Sequence, residues 1–288
     1  MATQDRHGKI KGKINNIVYR DWGGKQVLQI APAQVKQTYA SRLNALEFGL
    51  ASAQAKVIRD VLSGIYEEAD GKMTARLNAA VAACIRSSDR DIGDRDLHHA
   101  SLDSLRGFEF NTLAPFEKRL TARPVFGVLP NGRFNFHLPS FNVMDDIHYP
   151  RDGVRYDPSF LIAITAFHFR KEYAQLIDKE VFDFENINRE VQIDWSSSRL
   201  LPPGAVVVVT FSLRYISTNW VGRQIQSTDK AFYPTVILDA FRVTDDMSVC
   251  TQQEGFGDPI DIIYEFGNKT NSILKDIARL KQKMADKS

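Results

Sequence analysis

Apolar residues recur at every second position on either side of Gly23-Gly24, at Ile17 and Tyr19 before it and at Leu28 and Ile30 after it. Period two is the pattern of a strand whose successive side chains point to opposite faces. A Gly-Gly pair suits the positive φ angles of a two-residue hairpin turn. Residues 13–22 and 25–30 are therefore predicted to pair, with Trp22 opposite Lys25, Arg20 opposite Val27, Tyr19 opposite Leu28 and Ile17 opposite Ile30. That register puts Ile17, Tyr19, Leu28 and Ile30 on one apolar face, and Val18, Arg20, Trp22, Lys25, Val27 and Gln29 on a mixed one. An isolated hairpin is marginal in water, so both faces are expected to meet something else, part of it another chain.

After Pro32 the period lengthens. Leu43, Leu46, Leu50, Val57, Val61 and Ile65 recur at three- and four-residue steps behind Ser41, a candidate N-cap, and predict a helix over 41–67. Met73, Leu77, Ala80, Val81, Cys84 and Ile85 predict a second helix over 73–87, and the short link makes the two an antiparallel pair. Residues 87–107 are polar and mixed in charge, which suits a linker or surface loop. Strands are predicted over 123–128, 133–138, 159–170, 174–184, 190–195, 205–216 and 233–243, punctuated by Gly, Pro and Asn. This spacing indicates an antiparallel sandwich, with Trp195 as a core anchor. Near the C-terminus Ile273, Leu274, Ile277, Leu280 and Met284 form the narrow apolar stripe of an amphipathic helix. The expected fold class is α+β: an N-terminal β-hairpin and two-helix segment, an antiparallel β-sandwich, and a short C-terminal amphipathic helix. The expected divisions are 1–107, 108–260 and 261–288.

Composition narrows the function classes. With 288 residues, 43% hydrophobic and 25% charged, the chain is that of an ordinary folded protein. Two cysteines, Cys84 and Cys250, exclude a disulfide scaffold or a four-thiolate zinc site, and Cys84 falls on a buried stripe. Runs such as Ala205–Val209 are too short to span a bilayer. The first residues lack a signal-like apolar stretch, so a cytoplasmic location is expected, with export lacking a cleaved signal left open. The net charge of +2 is uneven: residues 1–42 hold eight Lys/Arg and two Asp (+6), leaving −4 for the rest. Such an arm suits an acidic surface on a neighbouring subunit, or nucleic acid, although no dense basic run supports the latter.

Chemistry-bearing clusters are few. Asp145, Asp146 and His148, with Asp152 and Asp157, have the oxygen and nitrogen donors of a metal site but match no metal-binding spacing, and read as a solvated acidic loop. His98-His99 near Asp94 and Asp96 point to different sides of any regular element and read as surface histidines. The aromatic-rich strands with Arg123, Arg133, Arg170 and Arg214 could stack sugars or bases, but Phe at every second position is what a sandwich core also requires, and they read as core. There is no phosphate-binding glycine loop, nucleophile elbow or His-Glu-x-x-His pair, so no catalytic, cofactor or metal residue is assigned.

The segment Gly12-Lys13-Ile14, Val18-Tyr19-Arg20, Gly24-Lys25-Gln26-Val27, Lys36-Gln37-Thr38, Ser41-Arg42 and Phe48-Gly49 resembles the start of an uncharacterised family from Bacteroidetes. An Ile-x-Trp strand of that family is matched by Ile193-Asp194-Trp195. The resemblance implies a bacterial origin and no particular activity. The preferred expectation is a non-catalytic protein that assembles into a homo-oligomer, filament or particle. Its interface would use Ile17, Val18, Tyr19, Arg20, Trp22, Lys25, Val27, Leu28 and Ile30 from the hairpin and Ile273, Leu274, Ile277 and Leu280 from the tail. Two alternatives stand beside it: a sandwich that binds carbohydrate or another extracellular ligand through Tyr149, Tyr156 or Trp220, and a metal-dependent hydrolase using Asp145, Asp146 and His148.

Overall fold

The computed structural model describes residues 2–31, 37–244, 263–267 and 269–286, in two compact units, Met1–Arg42 and Leu43–Ser288. Residues 32–36 and the 245–260 end of the expected sandwich lie outside the described residues.

The first unit is a four-stranded antiparallel meander of Thr3–Gln4 (β1), Ile10–Ile14 (β2), Ile17–Trp22 (β3) and Lys25–Ile30 (β4), in that order. Between β3 and β4 the register is the one the alternation predicts, from Ile17 opposite Ile30 to Trp22 opposite Lys25. Gly23 and Gly24 both take positive φ, 58° and 81°. The sequence reading missed a second turn. Asn15 sits at φ 49°, a conformation asparagine tolerates better than other non-glycine residues, and the chain folds back so that Ile14 pairs with Ile17.

The second unit is layered. It contains helices Tyr39–Leu62 (α1, whose first turn belongs to the first unit) and Met73–Arg86 (α2). Strands Val125–Val128 (β5), Phe134–Asn142 (β6), Asp157–His168 (β7), Tyr173–Asp183 (β8) and Glu190–Ser196 (β9) follow. Val206–Thr218 (β10), Gln224–Gln226 (β11), Thr235–Arg242 (β12), Ile263–Glu265 (β13) and helix Lys269–Ala285 (α3) complete it. One antiparallel sheet runs β11-β10-β7-β8-β13 with β12 also on β10, and a smaller one runs β5-β6-β9. Strands β7 and β10 are buried almost end to end because both of their faces are covered. On one face Phe160, Ile162, Val207, Val209 and Phe211 meet Phe134, Phe136, Phe141 and Ile193 of the smaller sheet, which makes the sandwich core. On the other face Phe167, Val206, Val208 and Ile237 meet Ala55, Ile58, Leu62, Leu77, Val81 and Ile85 of the helical pair. Trp195 is half-buried against the first of these cores.

Three expectations need revision. The division at 107 gives way to one at Arg42, since the helical pair shares a core with the large sheet. The N-cap of α1 is Thr38, whose hydroxyl accepts the Ser41 N–H at 3.2 Å, and the helix ends at Leu62 just before Gly64. Residues 87–107 are no mere linker: Leu97, Leu102 and Leu105 are buried in the helix-side core.

Candidate functional site

The N-terminal sheet carries nine of the thirteen expected interface residues. Strand alternation continues across β2, so Ile10, Ile14, Ile17, Tyr19, Leu28 and Ile30 line one face. None of the six is buried; Leu28 is 60% and Ile30 72% exposed. The opposite face holds Lys11, Lys13, Val18, Arg20, Trp22, Lys25 and Val27, with Trp22 79% exposed. The sheet is a single layer. Its hairpin end is tied down by Lys9, whose ammonium donates to the Gly24 carbonyl at 2.7 Å and to Asp21 at 3.2 Å.

The tail residues are placed differently. Helix α3 is docked on its own unit, with Ile277 fully buried and Ile273, Leu274 and Leu280 half-buried. Lys281 pairs with Asp94 at 2.5 Å, and the Asn271 side chain donates to the Arg170 carbonyl at 3.0 Å. The apolar stripe is thus largely used within the chain, which corrects the expectation of a free C-terminal arm.

Nor does the acidic loop have the form of a metal site. Asp146 accepts the Asn142 N–H at 2.7 Å, Asp152 accepts from the Tyr156 hydroxyl at 2.9 Å, and Asp157 accepts the Asn186 N–H at 2.8 Å. These carboxylates fix turns. Among the described residues no cluster of His, Cys, Asp and Glu is arranged to hold a metal. Tyr149 and Tyr156 are also not available as exposed loop aromatics: Tyr149 donates to the Val143 carbonyl at 2.8 Å and Tyr156 is 6% exposed. Trp220, at 95% exposure, is the one of the three that projects.

The sequence reading missed a cluster at one end of the large sheet. His98 lies within the short turn Leu97–His99 capped by Asp96, His168 ends β7, Arg170 and Lys171 follow it, and Arg242 ends β12. They line a cavity of about 400 Å³ together with His99. Both His98 and His168 are buried, so the surface reading fails for His98. Asp96, 2% exposed, organises the wall: it accepts the His98 N–H at 3.0 Å and Arg170 Nε at 2.9 Å, and lies 2.9 Å from His99 Nδ1. Arg242 donates to the His98 carbonyl at 2.9 Å. His98 Nδ1 lies 3.1 Å from the Gly204 carbonyl, which can only accept, so Nδ1 carries the proton and Nε2 presents a lone pair. That Nε2, like Nε2 of His168, is buried without a partner among the described residues. Burial holds the His98 pKa below the ordinary value, with Arg170 adding to burial and Asp96 opposing it. His168 is held down at about 4, by burial first, then by Lys171 and His98.

A second cavity, of about 340 Å³ beside Glu47, Phe48 and Ile85, differs in that its buried charges satisfy each other: Arg95 donates twice to Glu47, both at 2.8 Å. Cys84 is fully buried and its thiol pKa is raised by that burial, as a core cysteine requires. No described helix is long and apolar enough to cross a membrane. Neither the family models nor the curated proteins compared with the chain yield a match.

Proposed function

We propose that this chain is a non-catalytic assembly subunit that joins other copies of itself through its N-terminal sheet. What carries the reading is the uncovered apolar face of Ile10, Ile14, Ile17, Tyr19, Leu28 and Ile30. A sheet with one apolar face needs a second layer, and nothing in residues 2–31 supplies one. Burying a single Leu or Ile side chain is worth about 1.5–3 kcal/mol, so several together favour association.

Charge selects the occupant. The +6 of residues 1–42 opposes face-to-face pairing of two such units and favours the acidic remainder of a neighbouring copy. The acid is concentrated: residues 178–194 hold Asp178, Glu180, Asp183, Glu185, Glu190 and Asp194 against Lys179 and Arg189, a net of −4. They lie on β8, β9 and their connection, and the outer edge of β8 beyond Gln175 has no strand partner among the described residues. A basic sheet meeting an acidic rim is a head-to-tail contact, which builds rings or filaments.

Light scattering of the full chain tests this. Wild-type protein should run as species larger than the 32.6 kDa monomer, shrinking with added salt. A Leu28→Lys/Ile30→Lys double variant should be monomeric with an unchanged thermal transition of the Leu43–Ser288 unit. A monomeric wild-type protein, or a variant that assembles normally, refutes the proposal.

A second reading rests on the opposite face, where Lys11, Lys13, Arg20 and Lys25 surround the exposed Trp22. Cations beside a stacking platform suit single-stranded nucleic acid. Salt-sensitive binding of a short oligonucleotide, lost in Trp22→Ala, would support it; no binding at low salt removes it.

A further inference from the structure

We infer that the cavity lined by His98, His168, Arg170, Lys171 and Arg242 binds a phosphate group bearing a proton, as in inorganic phosphate or a phosphomonoester. The site does not depend on the assembly proposal, since all its residues belong to the Leu43–Ser288 unit.

Two requirements meet in this cavity. The first is charge. Arg170, Lys171 and Arg242 bring three cations to the wall, and the carboxylate beneath them, Asp96, is committed to Arg170, the His98 amide and His99. The balance is positive, so an anion is the favoured occupant. The second is a proton. With Nδ1–H directed to the Gly204 carbonyl, Nε2 of neutral His98 needs a donor, and leaving it buried without one costs about 1–3 kcal/mol. A carboxylate or sulfate satisfies the cations but brings no hydroxyl. A phosphate with one P–O–H satisfies both: its charged oxygens face Arg242 and Lys171, and its hydroxyl donates to His98 Nε2.

Inorganic phosphate keeps one P–O–H as the dianion that prevails above neutrality, whereas a phosphomonoester, with its second pKa near 6, has largely lost its own there. A fully ionised monoester enters only if His98 takes up the proton instead. Either way the complex holds one proton between ligand and imidazole, so affinity for a monoester should weaken by up to about tenfold for each pH unit above 7, while affinity for inorganic phosphate should not. The groups that face the two imidazoles are Asp96, His99, Arg170 and Gly204 at His98, and Lys171, Tyr173 and His98 at His168.

Calorimetric titration of the full chain at constant ionic strength tests this with inorganic phosphate, glycerol 3-phosphate and sulfate. Saturable phosphate binding is expected, with sulfate weaker by about tenfold or more, a difference of about 1.4 kcal/mol. Glycerol 3-phosphate tighter than inorganic phosphate marks a monoester as the natural ligand; the reverse marks the free ion. Lys171→Gln and Arg242→Gln should each weaken binding several-fold, whereas Arg123→Gln, outside the cavity, should not. Absence of saturable phosphate binding overturns the proposal. Equal binding of sulfate, or unchanged affinity in both cavity variants, overturns it as well. Thermal unfolding of Arg242→Gln, which also loses its bond to the His98 carbonyl, separates lost affinity from lost fold, and Lys171→Gln provides a variant without that bond.

Discussion

Gly93 lies directly against Ile277: a Cβ built on this glycine would stand 2.8 Å from Ile277 Cγ2 and 2.9 Å from Leu43 Cδ1. Its φ of +89° is a conformation that side-chain-bearing residues rarely adopt. Gly93→Ala thus combines backbone strain with a collision at the one fully buried residue of the α3 stripe, Ile277. The expected cost is about 1–3 kcal/mol. Limited proteolysis should show faster cleavage in residues 269–286 of the variant, while near-ultraviolet circular dichroism of the sandwich stays the same. Unchanged cleavage would mean that α3 is held from elsewhere.

Gln54 gives the opposite sign. It is fully buried on α1, and neither its amide oxygen nor its amide nitrogen has a partner among the described residues. An orphaned buried amide is more costly than an apolar side chain of the same shape. Gln54→Met keeps length and helix propensity and should stabilise by about 1–3 kcal/mol, raising the thermal midpoint by several degrees. A lower midpoint would indicate that the amide has a partner in solution.

The contrast between these residues shows what the sequence makes legible. Strand and helix positions follow from period alone, and so does the Ile17–Ile30 to Trp22–Lys25 register, because Gly23-Gly24 fixes the turn. The Asn15-Asn16 turn escaped because it holds no glycine or proline, although the apolar positions change parity across it, from Ile10 and Ile14 to Ile17 and Tyr19. The docking of α3 escaped because an amphipathic stripe states only that something covers it; Gly93, which admits Ile277, is remote in the chain. His98, His168 and Arg242 come together from a loop and the ends of two strands, so no local motif marks their cavity. For His98 and His168 the available signal was the apolar context of Leu97 and Phe167, which points to burial, not to a partner.

Asp70 ties the start of α2 to the 110–112 segment. Its carboxylate accepts the Lys72 N–H at 2.8 Å and both the N–H and hydroxyl of Thr112 at 3.0 Å, and pairs with Arg76. Burial is the largest single influence and opposes ionisation, but these donors together outweigh it and hold the pKa at about 2. A folded value below the unfolded one of about 3.9 adds stability that is complete above pH 4 and lost as pH falls towards 2. Asp70→Asn should therefore destabilise at pH 7 by about 1–3 kcal/mol, and the gap should close in acid. Denaturant midpoints of the two proteins that stay equally far apart from pH 7 to pH 2 would contradict this.

His168 should impose its own pH dependence in a higher window. It is 6% exposed and lies against Tyr173, with ring centroids 4.5 Å apart. Burial, Lys171 and His98, in that order, hold its pKa at about 4, against about 6.5 for an unfolded histidine. The unfolded chain therefore takes the proton first as pH falls. The stability tied to neutral His168 is complete above about pH 6.5 and declines towards pH 4, with a slope of up to about 1.4 kcal/mol per pH unit. His168→Phe retains a ring against Tyr173 and removes the titration, so its midpoints should fall less steeply across that interval. Phosphate-free buffers are needed for the measurement, since a ligand that binds only the folded chain would raise the midpoints and mask the slope. Parallel curves for the two proteins between pH 6.5 and 4 would show that the imidazole is solvated in the native state, and would also remove His168 as a buried wall of the cavity.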